Sequence, residues 1–131
     1  MFEYHGWITI RSSSEAYADD SPSAQLIDGI QQRIETIASP YLLDLRWMNG
    51  EPFIHMGGLA NHRASAELYG LFEHVGAIAP GSYGVLHVRD DEDYDHENEM
   101  RVLRLVRGAI TEHTDMLLSP CLPTLEDPLT G

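Results

Sequence analysis

The dipeptide Asn49-Gly50 constrains this chain more than any other feature. It stands between two segments of alternating apolar and polar residues, 42–48 and 51–58. A type I′ turn needs positive φ at both central residues, and Asn-Gly adopts that conformation at little cost. A two-residue turn also fixes register, so Met48 faces Glu51 and each step outward follows. Leu43, Leu45 and Trp47 then share a face with Met56, Ile54 and Pro52, which is the expected core face. The opposite face pairs Arg46 with Phe53 and Asp44 with His55. Pro52 lacks an N–H, so its strand should lie at an edge or turn that position away from the ladder.

Around this hairpin the pattern supplies further elements. Residues 2–11 alternate, with Tyr4, Ile8 and Ile10 on one face and His5, Trp7, Thr9 and Arg11 on the other, as in a half-buried strand. Residues 12–21 are polar and read as a loop. Ser21-Pro22 reads as a helix cap followed by Pro at the first helical position, and Leu26, Ile27, Ile30, Ile34 and Ile37 recur at helical spacing. A helix is predicted over 22–38, stopped by Ser39-Pro40. A second helix fits 65–79, with Ser65 as its cap and Leu68, Leu71, Phe72, Val75 and Ile78 as its stripe. Gly70 and Gly76 weaken it but permit close packing. Strands follow at 83–89, 100–107 and 109–113, with Gly108 in the last turn, and a Pro-containing tail, 119–131, is expected to be extended. The order β-α-β-β-α-β-β-β predicts an α+β domain spanning 1–131. Its first six elements suit an antiparallel sheet with two helices on one face, in a ferredoxin-like βαββαβ order, with the C-terminal strands widening the sheet.

Charge narrows the function classes. The chain has 21 acids against 8 bases, a net charge of −13. That argues against a nucleic-acid binder, which needs a basic footprint, and against an electrostatically held membrane protein. It suits a basic partner. The bases are all Arg, so no lysine is present for a Schiff base or a phosphate loop. The single Cys121 excludes an internal disulfide framework and a multi-Cys zinc site. No signal peptide or spanning segment is visible, so a cytoplasmic domain without a cofactor is the expectation.

Residues 90–99 concentrate the charge: seven acids and no base, −7 of the −13. Acids at 91, 93, 95, 97 and 99 suggest a calcium loop. An EF-hand starting at Asp91 would need Gly at its sixth position and Glu at its twelfth, and those hold His96 and Val102. A solvated hairpin tip and a docking patch for a basic partner both fit better. Asp44 beside His55 offers the start of an acid–base pair, and a small hydrolase or metal-dependent enzyme is the rival reading. No nucleophile motif, zinc-helix motif or phosphate loop accompanies it, so an ordinary cross-strand pair is the simpler account. Trp7 falls on the polar face of its strand beside His5, Thr9 and Arg11. It is either an interface anchor or a residue covered by the tail. Residues 61–63 form a cap or a contact.

Six segments together resemble one family. They are Phe2-Glu3-Tyr4-His5-Gly6-Trp7-Ile8-Thr9-Ile10, then Leu43-Asp44-Leu45-Arg46-Trp47-Met48-Asn49-Gly50, then Gly58-Leu59-Ala60-Asn61-His62-Arg63. Ala79-Pro80-Gly81-Ser82-Tyr83-Gly84, Arg89-Asp90-Asp91-Glu92-Asp93 and Leu118-Ser119-Pro120-Cys121-Leu122-Pro123-Thr124 complete the set. In this order and spacing they resemble the immunity protein 7 family of bacterial polymorphic toxin systems, over nearly the whole chain. The resemblance implies a non-enzymatic protein that binds the C-terminal toxic domain of a cognate toxin and blocks it. The charge adds the expectation that the toxin is basic, as a nuclease would be. The contact residues expected from the sequence are Asp90, Asp91, Glu92, Asp93, Tyr94, Asp95 and Glu97 in the acidic loop, with Trp7, Arg46, Phe53 and His55 on the exposed strand face. The free protein is expected to be a monomer or a dimer, and a dimer with no toxin remains a further alternative.

Overall fold

The structure is a computed structural model that describes residues 1–16, 21–39, 41–61 and 65–129. The first strand, β1 (Phe2–Thr9), alternates in burial and lies inside a sheet. Phe2, Tyr4, Ile8 and the following Ile10 are buried, while His5 and Trp7 point the other way. The remaining elements are α1 (Ala24–Glu35), β2 (Leu42–Met48), β3 (Glu51–Ala60), α2 (Ser65–Ile78), β4 (Tyr83–Asp90), β5 (Met100–Val106), β6 (Ala109–Thr114) and α3 (Cys121–Thr124). The six strands form one antiparallel sheet in the order β2-β3-β1-β4-β5-β6. The fold is therefore α+β. The core joins Ile27, Ile30 and Ile34 of α1 and Leu68, Leu71, Phe72 and Val75 of α2 to Phe2, Tyr4, Ile8, Ile54, Met56, Leu86, Leu103 and Leu105 of the sheet. By alternation, those sheet residues lie on a single face. Neither α1 nor α2 packs on the other face, whose Arg89 end meets the C-terminal tail through the Arg89–Glu126 bond at 3.0 Å.

The Asn49-Gly50 hairpin forms as the sequence predicts. Asn49 and Gly50 have φ of 50° and 80°, and the register pairs Met48 with Glu51, Arg46 with Phe53 and Asp44 with His55. Pro52 is fully buried in β3, which lies inside the sheet. Its place is explained by the second expectation. Met48–Glu51 is the hydrogen-bonded pair beside the turn, so Trp47–Pro52 is a non-hydrogen-bonded pair toward β2; on the other side the β1 ladder stops at Thr9–Phe53, just short of Pro52, whose carbonyl accepts the Ile10 N–H at 3.2 Å. Arg107 and Gly108, with φ of 52° and 74°, make a second tight turn between β5 and β6.

Four expectations are corrected. The cap of α1 is Ser23, not Ser21: its hydroxyl accepts the Leu26 N–H at 3.1 Å, so Pro22 precedes the helix. The helix also ends earlier, at Glu35, where Thr36 caps it by donating to the Arg33 carbonyl at 2.6 Å. Trp47 is 53% exposed despite its core-facing parity. It stands at the tip of an edge strand, where a neighbour covers one side only, and Leu43 and Leu45 reach the core while Trp47 does not. Ile78 is 39% exposed, and Ala79 takes the buried slot. The stripe runs 68, 72, 75, 79, a closer match to 3.6 residues per turn.

Gly76 permits the close approach expected of it: a Cβ there would stand 2.9 Å from Leu105 Cδ1. Gly70 faces the Arg33 guanidinium instead. The tail does not run on as an extended strip. It makes one irregular helical turn at Cys121–Thr124, and Cys121 is buried. The expected contact at 62–63 and the capping side chain of Ser65 lie outside the described residues, as does much of the 12–21 loop.

Candidate protein-binding surface

Two surfaces carry the residues singled out by the sequence. On the face opposite α1 and α2, strand pairing assembles a patch from distant segments. Trp7 pairs with His55 on one side and Val85 on the other, and Thr9 pairs with Phe53, which pairs in turn with Arg46. Trp7 meets Tyr83 edge-on, with centroids 6.0 Å apart and planes at 89°. Phe53 and His55 lie 6.3 Å apart. Trp7 is 38% exposed, so the tail does not bury it. Beside it opens a shallow concavity of about 420 Å³, lined by Tyr83, Val85, Arg104, His113 and Met116 among others. An amphipathic ring held edge-on beside an open apolar hollow is the usual form of an interface anchor.

Charges on this face are mostly matched locally. The His5 ring lies 2.7 Å from the Glu3 carboxylate, and Arg46 donates to Asp44 at 3.3 Å. Asp44 and His55 are cross-strand partners as expected, yet the Asp44 carboxylate engages Arg46, and the pair lies on an open sheet surface. A narrower cleft, about 150 Å³, lies elsewhere and is lined by Asp90, Asp93, His96, Arg101 and Glu112 with Phe2 and Tyr69. Among the described residues, no group of three or more His, Cys, Asp or Glu is arranged to hold a metal ion.

The second surface is the acidic loop after β4. Three successive turns shape it: Asp93 N–H to Asp90, His96 N–H to Asp93 and Glu99 N–H to His96, at 2.9–3.3 Å. Asp91, Glu92, Asp95 and Glu97 are exposed, and Tyr94 is almost fully so. Asp90 is the exception among the expected contacts. It is buried, and its Oδ1 accepts the Glu92 N–H at 3.0 Å, so it shapes the loop from within. Strand β4 runs one residue further than the alternation suggested, and that carries Asp90 onto the inward face.

The loop is anchored at both ends. The Met1 ammonium donates to Asp91 at 2.9 Å, which holds the Asp91 carboxyl below the usual carboxylate range and raises the ammonium above its own. His96 donates through Nδ1 to Glu99 at 2.7 Å, and Thr114 and Arg101 also reach that carboxylate. These bonds, the His96 one foremost, hold the Glu99 carboxyl below its usual range. Asn98 clamps the tail: its side chain accepts the Leu122 N–H and donates to the Leu122 carbonyl, while its own carbonyl takes the Cys121 N–H. Ser119 closes the same junction by accepting the Met100 N–H at 2.8 Å.

The structure thus groups Trp7, Arg46, Phe53 and His55 in one place and the loop acids in another. The Trp7 level of the sheet lies five residues along β1 from the loop end, about 17 Å at about 3.4 Å per residue. Tyr83, Met116 and Asn98 escaped the sequence reading. Period-2 alternation put Tyr83 and Val85 on one face, but only sheet order sets them beside Trp7.

The geometry provides an exposed aromatic patch and an ordered acidic loop, and comparison with known families adds the next finding. The family model described as Immunity protein 7 matches residues 1–127 of the 131. The chain belongs to this family. No curated protein and no solved structure gives a match. An immunity protein acts on a cognate toxin by binding it, so membership points to a binding protein and not to an enzyme. Among the described residues, no helix is long and apolar enough to cross a membrane.

Proposed function

We propose that this immunity protein neutralises its toxin by stoichiometric binding in the cytoplasm of the producing cell, with no chemistry of its own. The toxin is the C-terminal domain of a secreted or contact-delivered polymorphic toxin. Its contact surface is basic, as the active site of a nuclease must be to attract phosphates. The observation that carries this reading is the pairing of an exposed, edge-stacked Trp7 with an ordered and strongly acidic loop on the same molecule. The loop raises the encounter rate with a basic partner, and the outer sheet face around Trp7, Arg46, Phe53 and His55 supplies the close packing. Of the loop residues, Asp91, Glu92, Asp93, Tyr94, Asp95 and Glu97 make the contact, and Asp90 supports them from inside.

The test is calorimetric titration with the toxic domain encoded beside this gene, at low and at moderate salt. One-to-one binding that weakens as salt rises is expected. No binding at either salt overturns the reading for that partner, and binding without salt dependence removes the acidic loop from it.

A further inference from the structure

Strand β2 is one edge of the sheet, and its sequence, Leu42-Leu43-Asp44-Leu45-Arg46-Trp47-Met48, is complementary to itself when run antiparallel. We propose that β2 pairs with β2 of a second copy across a two-fold axis at Leu45, joining two sheets into one. The backbone fixes which registers are allowed. Met48 bonds to Glu51 across the tight turn, so alternation turns Met48, Arg46, Asp44 and Leu42 toward β3. The N–H and C=O groups of Leu43, Leu45 and Trp47 therefore point outward from the edge. A second β2 must set these three residues opposite its own three.

Three two-fold registers satisfy that rule with most of the strand paired, and charge separates them. Centring on Leu45 sets Asp44 opposite Arg46 of the second copy, twice. It also sets Leu43 opposite Trp47, Leu42 opposite Met48 and Leu45 opposite itself. Centring on Asp44 would oppose two carboxylates, and centring on Arg46 would oppose two guanidinium groups. Cross-strand opposite charges stabilise a pair and like charges destabilise it. In the favoured register Asp44 and Arg46 form non-hydrogen-bonded pairs, where side chains approach most closely.

The exposed surface fits the same partner. Leu42, Trp47 and Met48 are 49%, 53% and 41% exposed, the side chains this pairing would cover. The internal Arg46–Asp44 bond, at 3.3 Å between side chains 72% and 44% exposed, leaves both groups within reach of a second strand. Natural edges are usually blunted by a bulge, a Pro or charged side chains; β2 has no Pro and an unbroken register, and its two charges are of opposite sign. The other edge, β6, is Ala-Ile-Thr-Glu-His-Thr and presents far less apolar surface. The proposal concerns the free protein and stands whether or not the toxin reading does.

The experiment is sedimentation equilibrium of the full chain and three variants, with circular dichroism to check folding. The wild type should show a weak dimer. Asp44→Arg alone and Arg46→Asp alone each place like charges opposite one another twice, and should raise the dissociation constant about tenfold or more. The double exchange, D44R with R46D, should restore dimerisation. A mixture of the two single variants should form a one-to-one heterodimer, because each then supplies the charge the other lacks. A wild type that stays monomeric up to about 1 mM overturns the proposal. So does a dimer unaffected by the single exchanges, or single variants that do not recover on mixing although both are folded.

Discussion

The acidic loop and the outer sheet face around Trp7 meet solvent in opposite ways. The loop presents charge, and its shape comes from bonds to its surroundings: Asp91 to the chain start, Glu99 to His96 and Thr114, Asn98 to the tail. The face presents rings and a hollow; Glu3 pairs there with His5 and Asp44 with Arg46, and Arg104 lines the hollow. A net charge acts over a Debye length of about 10 Å, while apolar packing acts only on contact. The difference teaches a division of labour: the loop governs how fast a basic partner arrives, and the face governs how long it stays. Because the two lie about 17 Å apart along the strands, each can be altered alone.

The largest effect should come from the face. Trp7→Ala removes the exposed ring stacked on Tyr83 and should cost about 2–4 kcal/mol of toxin binding, seen mainly as faster dissociation. Association should barely change. Surface plasmon resonance separates the two rates, and a slower association with normal dissociation would reverse the roles assigned here. Next in size is the loop. Replacing Asp91, Asp93 and Asp95 together with Asn should slow association about tenfold at low salt and flatten its salt dependence, while dissociation stays close to normal. If rate and salt slope are unchanged, the loop does not steer.

These two regions also differ in how far the sequence revealed them. The hairpin register was legible because Asn49-Gly50 is a local signal and every pair from Met48–Glu51 outward follows from it. The outward face of Trp7 was legible because alternation has a period of two. What alternation cannot say is whether anything lies over a face. Trp47 has inward parity and is exposed, because β2 is an edge and nothing in its own pattern records that. Asp90 looks like its neighbours in a charge run, yet one more residue of strand turns it inward. The Trp7–Tyr83 contact depends on β4 lying beside β1, a fact of sheet order that no local pattern encodes. Tail docking was missed for a similar reason: Asn98 and Leu122 meet only through the fold, and a Pro-containing segment offers no periodicity to read.

Asn98 gives a smaller and sharper test of whether loop order matters for encounter. Asn98→Ala deletes both side-chain bonds to Leu122 and should cost about 1 kcal/mol of stability. It should also speed proteolysis of the tail. The acids are all still present, so any slowing of toxin association would come from lost order and should be less than in the triple Asn variant. An unchanged association rate with a released tail would show that charge alone suffices.

Acid probes the loop through Glu99. The Glu99 carboxyl is held below its usual range in the folded chain, first by the His96 bond and then by Thr114. The unfolded chain therefore takes up the proton at a higher pH than the folded chain does. The stability Glu99 contributes is fully present above the ordinary glutamate pKa of about 4.3 and is lost as pH falls through the lower folded value. Glu99→Gln removes that titration and also weakens the His96 and Arg101 contacts. The variant should be slightly less stable at neutral pH, and the gap to wild type should close as pH falls below about 4.3. Trp7 fluorescence cannot be separated from that of Trp47 in the native chain, so chemical denaturation followed by circular dichroism across pH 3 to 7 is the direct readout. A gap that stays constant over that range would mean that Glu99 serves only as a neutral acceptor, and that the order of the loop does not depend on its charge.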